Sequence, residues 1–232
     1  MKVTVLPFFM LAVSIGGCGS SNSESGDVKN IDIENASICF NEDLYELGAT
    51  QTISMVAQDG SIETSLTKVI EETTYRSQPA LLAQTTENNV TDNAYLFIDE
   101  GNKEQIMLGE TDNANENELS YTPGTSMRFD VDKGDIHRQT ITMIVNNSSG
   151  VDQEFVINIS SEFQGFENIT VPAGSFKTCK FEQNYSMTLP DGSPADSKAI
   201  IWYAANYGVE VQVSNDGTIS KLVEAELNGV KM

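Results

Sequence analysis

The residues that could do chemistry are few, and they form no complete catalytic pattern. His137 is the only histidine, so a Ser-His-Asp triad or a histidine-rich metal site would have to use it. It lies in KGDIHRQ, a turn entering a strand, and no Gly-x-Ser-x-Gly sequence is present. We therefore expect His137 to be a surface residue, and no motif predicts a metal or another cofactor.

The acidic segment DNANENE, residues 112–118, has the composition of a calcium loop but not its spacing. Counted from Asp112, the third position is Ala114, which has no side-chain oxygen, and the twelfth is Pro123 instead of Glu. A solvated acidic loop is therefore favoured. The 34 acidic residues always offer some carboxylate pair for glycoside hydrolysis, but nothing singles one out.

Cys18 follows a positive, then apolar, then small-residue sequence of the kind found in secretory signals. The apolar run, residues 3–15, is shorter than the roughly 20 residues that a membrane-spanning helix needs. Ile15-Gly16-Gly17-Cys18 resembles the lipobox of bacterial lipoproteins. The resemblance implies cleavage before Cys18, diacylglycerol on its sulfur, and acylation of the new amine, for example by palmitate. The alternatives are a secreted protein with a free Cys18, or an N-terminal core element.

These features divide the chain into a signal peptide (1–17), a polar, lipidated and flexible tether (18–30), and one β-rich domain (31–232). In many Gram-negative bacteria, Asp after the lipidated cysteine resembles a signal for retention in the inner membrane. Here that residue is Gly19. The prediction is a protein anchored by lipid to the outer membrane and facing the periplasm.

The charge of the chain excludes some partners. The formal net charge is −21, and removing residues 1–17, which contain only Lys2 as a charged side chain, leaves −22. Nucleic-acid binders need a basic surface, so nucleic acid is not an expected partner. Broad contact with anionic lipid heads is disfavoured too, which leaves the anchor as the expected link to the membrane.

If Cys18 is lipidated, Cys39 and Cys179 remain as an even pair in an oxidising compartment. A disulfide between them is the economical interpretation. Two buried free thiols are the alternative, since connectivity cannot be proved from sequence.

Beyond residue 36 the sequence predicts strands separated by turns. Runs rich in Thr, Val and Ile recur with turn signals about every 10–15 residues, which favours an all-β sheet or barrel over βαβ units. Asp59-Gly60 predicts a hairpin between TISMVAQ and SIETSLTKVI. The segment ENASICFNEDLYELG predicts a short helix that ends at Gly48.

The segments VPAGSF (171–176) and WYAANYGV (202–209) resemble a pattern of uncharacterised bacterial envelope proteins, including those of the DUF3108 type. The resemblance covers about 65 residues of the C-terminal half. It implies a single, strongly curved antiparallel sheet or half-barrel, similar to the LolA/LolB-like lipoprotein carriers, with at most one or two short helices and a concave apolar face. It implies no established activity.

If such a cleft exists, alternating apolar side chains should line it. The predicted lining residues are Phe155, Ile157, Ile159, Phe176, Trp202 and Val223. The leading hypothesis is a non-catalytic envelope lipoprotein that binds an apolar ligand or a partner protein of the envelope. The alternatives are a carboxylate-dependent enzyme that acts on envelope or extracellular polymers, and a purely structural lipoprotein.

Overall fold

The computed structural model describes residues 34–147, 152–189 and 191–232. Two short 3₁₀ helices, Ala36–Cys39 and Glu42–Leu44, precede the strands. The strands are β1 (Thr50–Ala57), β2 (Ile62–Tyr75), β3 (Gln78–Glu87), β4 (Val90–Asp99), β5 (Glu104–Asp112), β6 (Asn117–Arg128), β7 (Ile136–Asn147), β8 (Gln153–Val171), β9 (Gly174–Thr188), β10 (Pro194–Ala204), β11 (Glu210–Asn215), β12 (Thr218–Leu227) and β13 (Val230–Lys231). The predicted signal peptide, the tether and Cys18 lie outside the described residues.

The strands form one antiparallel sheet in chain order, and this sheet closes on itself. Strand β1 pairs with β2 on one side and with β12 on the other, from Gln51 opposite Leu227 to Ala57 opposite Ser220. The all-β prediction is confirmed, but the predicted half-barrel is wrong, because β1 to β12 form a closed 12-strand barrel. Closure pairs the backbone groups that two free edge strands would leave unpaired.

The local turns follow the sequence signals, whereas the predicted helix differs. Asp59-Gly60 lies in the turn between β1 and β2, and Gly60 has a φ of +87°. Residues 34–48 form two 3₁₀ turns in place of one helix. Asn35 and Asn41 each accept a backbone N–H two residues ahead, so each begins a separate short turn.

Residues 34–49, which we call the plug, cover one end of the barrel. The Ala36 N–H donates to the Val131 carbonyl at 2.9 Å. The predicted disulfide is present: Cys39 in the plug is bonded to Cys179 in β9, with Cα atoms 6.3 Å apart. The plug is therefore tied to the barrel both covalently and by backbone hydrogen bonds.

Strands β6 and β7 separate along part of their length, and one side chain bridges the gap. Their pairing ends where Thr122 of β6 lies opposite Thr142. Beyond this point the Gln139 amide takes the place of a strand: its Oε1 accepts the Ser126 N–H at 2.9 Å, and its Nε2 donates to the Ser126 carbonyl at 2.7 Å. Backbone groups that would otherwise lack partners inside the wall are thus satisfied.

The close approach of Tyr75 to Gly109 on the barrel wall gives a stability prediction. A Cβ at Gly109 would lie 2.6 Å from Tyr75 Cζ and 2.8 Å from the Leu119 carbonyl oxygen. Gly109→Ala is therefore expected to lower the free energy of unfolding by about 2 kcal/mol through overpacking. Urea denaturation measures the loss. Gly101→Ala, on an exposed turn, is the control, and an equal effect of both substitutions would contradict the steric argument.

Candidate functional site

Three of the six predicted cleft residues lie in the interior of the barrel. Phe155, Ile157 and Ile159 alternate along β8, are 6%, 2% and 5% exposed, and pack in one core cluster with residues of β3 to β7. A small cavity between the plug and β1 to β5 measures about 20 Å³. That volume suits one water molecule, whereas ligand pockets measure about 300–1,000 Å³. These three side chains fill a core in the described part of the chain and do not line an open cleft.

The other three predicted cleft residues, Trp202, Phe176 and Val223, are not part of this core cluster. Trp202 lies opposite Lys180 in the sheet, and its Nε1 donates to Glu167 Oε2 at 2.9 Å. Trp202 is 7% exposed and packs in the larger core cluster, apart from the cluster that contains Phe155, Ile157 and Ile159. Lys180 Nζ lies 5.3 Å from the centroid of its ring.

Phe176 and Val223 are both partly exposed, and they lie in different parts of the barrel. Phe176 stands near the start of β9 and packs against the larger core cluster. Val223 is the extra residue at a bulge, since Leu222 pairs with Met55 and Glu224 with Ser54. No common surface of the described residues unites the six positions.

One carboxyl group lies among buried tyrosines inside the barrel. The Tyr203 hydroxyl donates to Glu210 Oε1 at 3.4 Å, and Tyr203 is 2% exposed. Burial raises the pKa of Glu210 to about 8. The partner of Glu210 is a tyrosine and not a second carboxylate, so the pair has the character of a structural polar contact.

A second concavity lies on the outside of the barrel and is lined mainly by residues of polar type. This outer groove measures about 730 Å³ and crosses β7, β8, β9 and β10. It is lined by Arg138, Gln139, Thr140, Asn158, Ile159, Ser160, Asn184, Tyr185, Ser186, Asp196, Ser197, Lys198 and Asp216. Ile159, a predicted cleft residue, contributes to the groove although its side chain is in the core.

Charges in the outer groove are partly paired. Lys198 Nζ lies 2.7 Å from Glu182 Oε1, and this hydrogen bond lowers the pKa of Glu182. The Asp216 carboxylate accepts the Lys198 backbone N–H at 2.9 Å, which holds the β11–β12 turn against β10. The Arg138 guanidinium has no hydrogen bond or ion pair with any residue that the structure describes. The groove thus contains one cation, Arg138, and one carboxylate, Asp196, without an ion pair among the described residues.

The other residues considered for chemistry have structural partners. His137, predicted to be on the surface, is half-buried, and its Nε2 lies 2.9 Å from Ser126 Oγ beside the β6–β7 gap. In the acidic segment, Asp112 holds Asn115 through both carboxylate oxygens. Among the described residues, no group of three or more His, Cys, Asp and Glu side chains is placed to share a metal ion.

Within residues 34–147, 152–189 and 191–232, no helix has the length and apolar character needed to span a membrane.

Comparison with known proteins identifies the family. The model of the DUF3108-like family matches residues 83–216, which is more than half of the chain. The chain belongs to the DUF3108-like family. The match extends the predicted C-terminal resemblance toward the N-terminus and includes all four strands of the outer groove. A search of curated protein sequences finds no match to this chain.

Two solved structures share the fold. A provisionally assigned lipoprotein from Parabacteroides distasonis is 15% identical, with a TM-score of 0.54, over 84% of this chain and all of its own. A provisionally assigned exported protein from Bacteroides fragilis, described as having a YmcC-like fold, is 14% identical, with a TM-score of 0.50, over 78% of this chain and 96% of its own. At these identities the similarity shows a shared fold and does not show the activity.

Proposed function

We propose that this protein is an exported, non-catalytic binding lipoprotein of the cell envelope, anchored through Cys18 and using the outer groove as its binding surface. One observation carries the binding role: the barrel interior is occupied by buried side chains, whereas a groove of about 730 Å³ lies open on its wall. Ligands bind in concave surfaces of this size. The groove replaces the predicted apolar cleft as the place where a ligand would be held.

The envelope location is supported by the N-terminal sequence and by the descriptions of the two similar structures as a lipoprotein and an exported protein. Residue 34, where the described chain begins, is at the plugged end of the barrel. Its Glu34 carboxylate lies 2.8 Å from Lys133 Nζ. An anchor at Cys18, joined to that end through the polar tether, would keep the barrel near the membrane and leave the groove open to the periplasm.

The positions of the carboxyl groups support a non-catalytic role. The groove carboxylate of Asp216 is bonded to backbone of β10, and the carboxyl with the strongly raised pKa, Glu210, contacts Tyr203 in the core. Glycoside hydrolysis requires two carboxyl groups that converge on one substrate-filled cleft. The groove itself holds two carboxylates, Asp196 and Asp216, but the carboxyl with the raised pKa that a general acid needs, Glu210, lies in the core. This separation favours a binding protein over an enzyme.

Lipidation is tested by metabolic labelling. An alkynyl fatty acid is expected to label the wild-type protein and not Cys18→Ser, because only the Cys18 sulfur and the amine exposed by cleavage would be acylated. The measurement is in-gel fluorescence after click chemistry, with mass spectrometry of the mature N-terminus. Equal labelling of both proteins, or a mature start other than residue 18, would exclude the anchor.

A further inference from the structure

The outer groove presents its side chains in two ordered rows that run across the strands. Residues directly opposite each other in neighbouring strands share a face, so the sheet register defines the rows. The first row consists of Arg138, Ser160, Asn184 and Lys198, and the second of Thr140, Asn158, Ser186 and Asp196. Seven of these eight residues are exposed and Ser160 is half-buried. Every one carries an amide, a hydroxyl or a charge, and none is apolar.

The dimensions of the rows suit an extended ligand that lies across the strands. Neighbouring strands are about 4.8 Å apart, so four strands span about 14 Å. A ligand in this orientation meets one polar side chain of each row per strand. A chain of sugar rings has a repeat close to that spacing, so each ring would face one strand.

The chemistry of the rows suits hydroxyl groups. Amide and hydroxyl side chains both donate and accept hydrogen bonds, as sugar hydroxyls do. The Thr140 hydroxyl already donates to Asn158 Oδ1 at 2.8 Å, which orients the Asn158 amide so that its N–H groups remain to donate. An acyl chain would instead bury these polar groups without partners, at a cost in free energy.

The charged side chains of the groove restrict the class of ligand further. Lys198 is paired with Glu182, whereas the Arg138 guanidinium at the other end of the same row has no partner among the described residues. A guanidinium binds a carboxylate through two parallel hydrogen bonds. The net charge of −21 disfavours a ligand with many negative charges. Asp196, in the second row, is a carboxylate that would accept hydrogen bonds from ligand hydroxyl groups. The ligand that fits is therefore mainly neutral, with a carboxylate near Arg138 and hydroxyl groups near Asp196.

We propose that the outer groove binds an oligosaccharide chain lying across β7 to β10, with a sugar carboxylate on Arg138 and ring hydroxyls on Asn158 and Asn184. This inference rests on the proposed function, because it names the ligand class of the same groove. The binding is non-covalent and needs no cofactor.

The test uses the mature protein in detergent and a set of oligosaccharides of three to six sugar rings, in matched pairs with and without one carboxylate. Binding is measured by isothermal titration calorimetry after a glycan-array screen. We expect a carboxylated member to bind, and the Asn158→Ala/Asn184→Ala variant to bind it at least tenfold more weakly. Arg138→Gln should reduce the preference for the carboxylated over the neutral partner at least tenfold.

The matched control is Thr86→Ala/Thr91→Ala, an exposed hydrogen-bonded pair on β3 and β4 far along the wall from the groove. It should bind like the wild type, and all variants should keep the wild-type thermal midpoint because the exchanged side chains are exposed. No binding at millimolar concentration, or equal binding by the groove variant, would overturn the glycan assignment. Equal affinity for neutral and carboxylated partners would overturn the role of Arg138. Cys18 labelling is independent, so a labelled protein that binds no oligosaccharide refutes the ligand class alone.

Discussion

Loss of the Cys39–Cys179 disulfide is expected to lower the free energy of unfolding by about 5 kcal/mol. The bond joins positions 140 residues apart. In the chain-entropy model, closing so long a loop restricts the unfolded ensemble by about that amount, and native strain would reduce the figure. For a domain of this size the loss corresponds to a fall in Tm of about 10–20 °C. The measurement is thermal and urea unfolding of the Cys39→Ala/Cys179→Ala double variant, which leaves no unpaired thiol in the described domain.

The barrel itself should survive this change, because β1 and β12 pair by hydrogen bonds that do not involve the plug. Hydrogen exchange is expected to show faster exchange in residues 34–49 and little change in β1 and β12. Ser replacements at both cysteines serve as the matched control for the volume lost when Ala removes each sulfur atom. A double variant with an unchanged unfolding midpoint would show that the disulfide contributes nothing to stability.

The strand content and several turns follow from local sequence, but closure of the barrel does not. Thr-, Val- and Ile-rich runs favour strands wherever they occur, and Asp59-Gly60 sets its own hairpin. Whether an antiparallel sheet closes depends on the number, tilt and stagger of all strands together. The deciding contact, Gln51 opposite Leu227, joins positions at the two ends of the domain. No local pattern distinguishes that pairing from two free edges.

Bulges explain why period-two alternation located only part of the core. Along the regular part of β8, Phe155, Ile157 and Ile159 share the inner face as their spacing predicts. A bulge inserts one residue and moves the following side chains to the other face. In β12 the extra residue is Val223 itself, so alternation counted from the sequence no longer gives its face. Trp202 keeps regular register with β9, because the bulge opposite it adds Val211 to β11, and no bulge accounts for its place.

The outer groove carried no sequence signal, because its residues look like any solvated strand face. Asn158, Ser160, Asn184 and Ser186 are polar residues that alternate with buried ones, which is the ordinary pattern of a barrel wall. What makes them a candidate site is the concavity of the wall and their alignment across strands, and both depend on the three-dimensional register.

Stability is expected to fall as pH rises from 5 to 8 because of Glu210. Burial raises the pKa of this group to about 8 in the folded protein, from 4.5 in the unfolded chain. Between these values the folded state binds more protons than the unfolded state, so the free energy of unfolding decreases with pH. This loss of stability begins as the pH rises above 4.5 and is complete once the pH is well above 8. Between pH 5 and pH 8 the free energy of unfolding should fall by about 3 kcal/mol, because each pH unit in this interval costs at most about 1.4 kcal/mol.

Glu210→Gln should remove most of this slope, because the amide keeps the hydrogen-bonding shape of the protonated acid but does not ionise. Glu87 and Glu110 should preserve a smaller slope, since burial raises the pKa of each of them too. Urea unfolding at pH 5, 6, 7 and 8 measures the effect. Glu46→Gln, an exposed acid of the plug, controls for the loss of one negative charge. A Glu210→Gln variant whose stability declines with pH as steeply as that of the wild type would show that Glu210 is already ionised at neutral pH in the folded barrel.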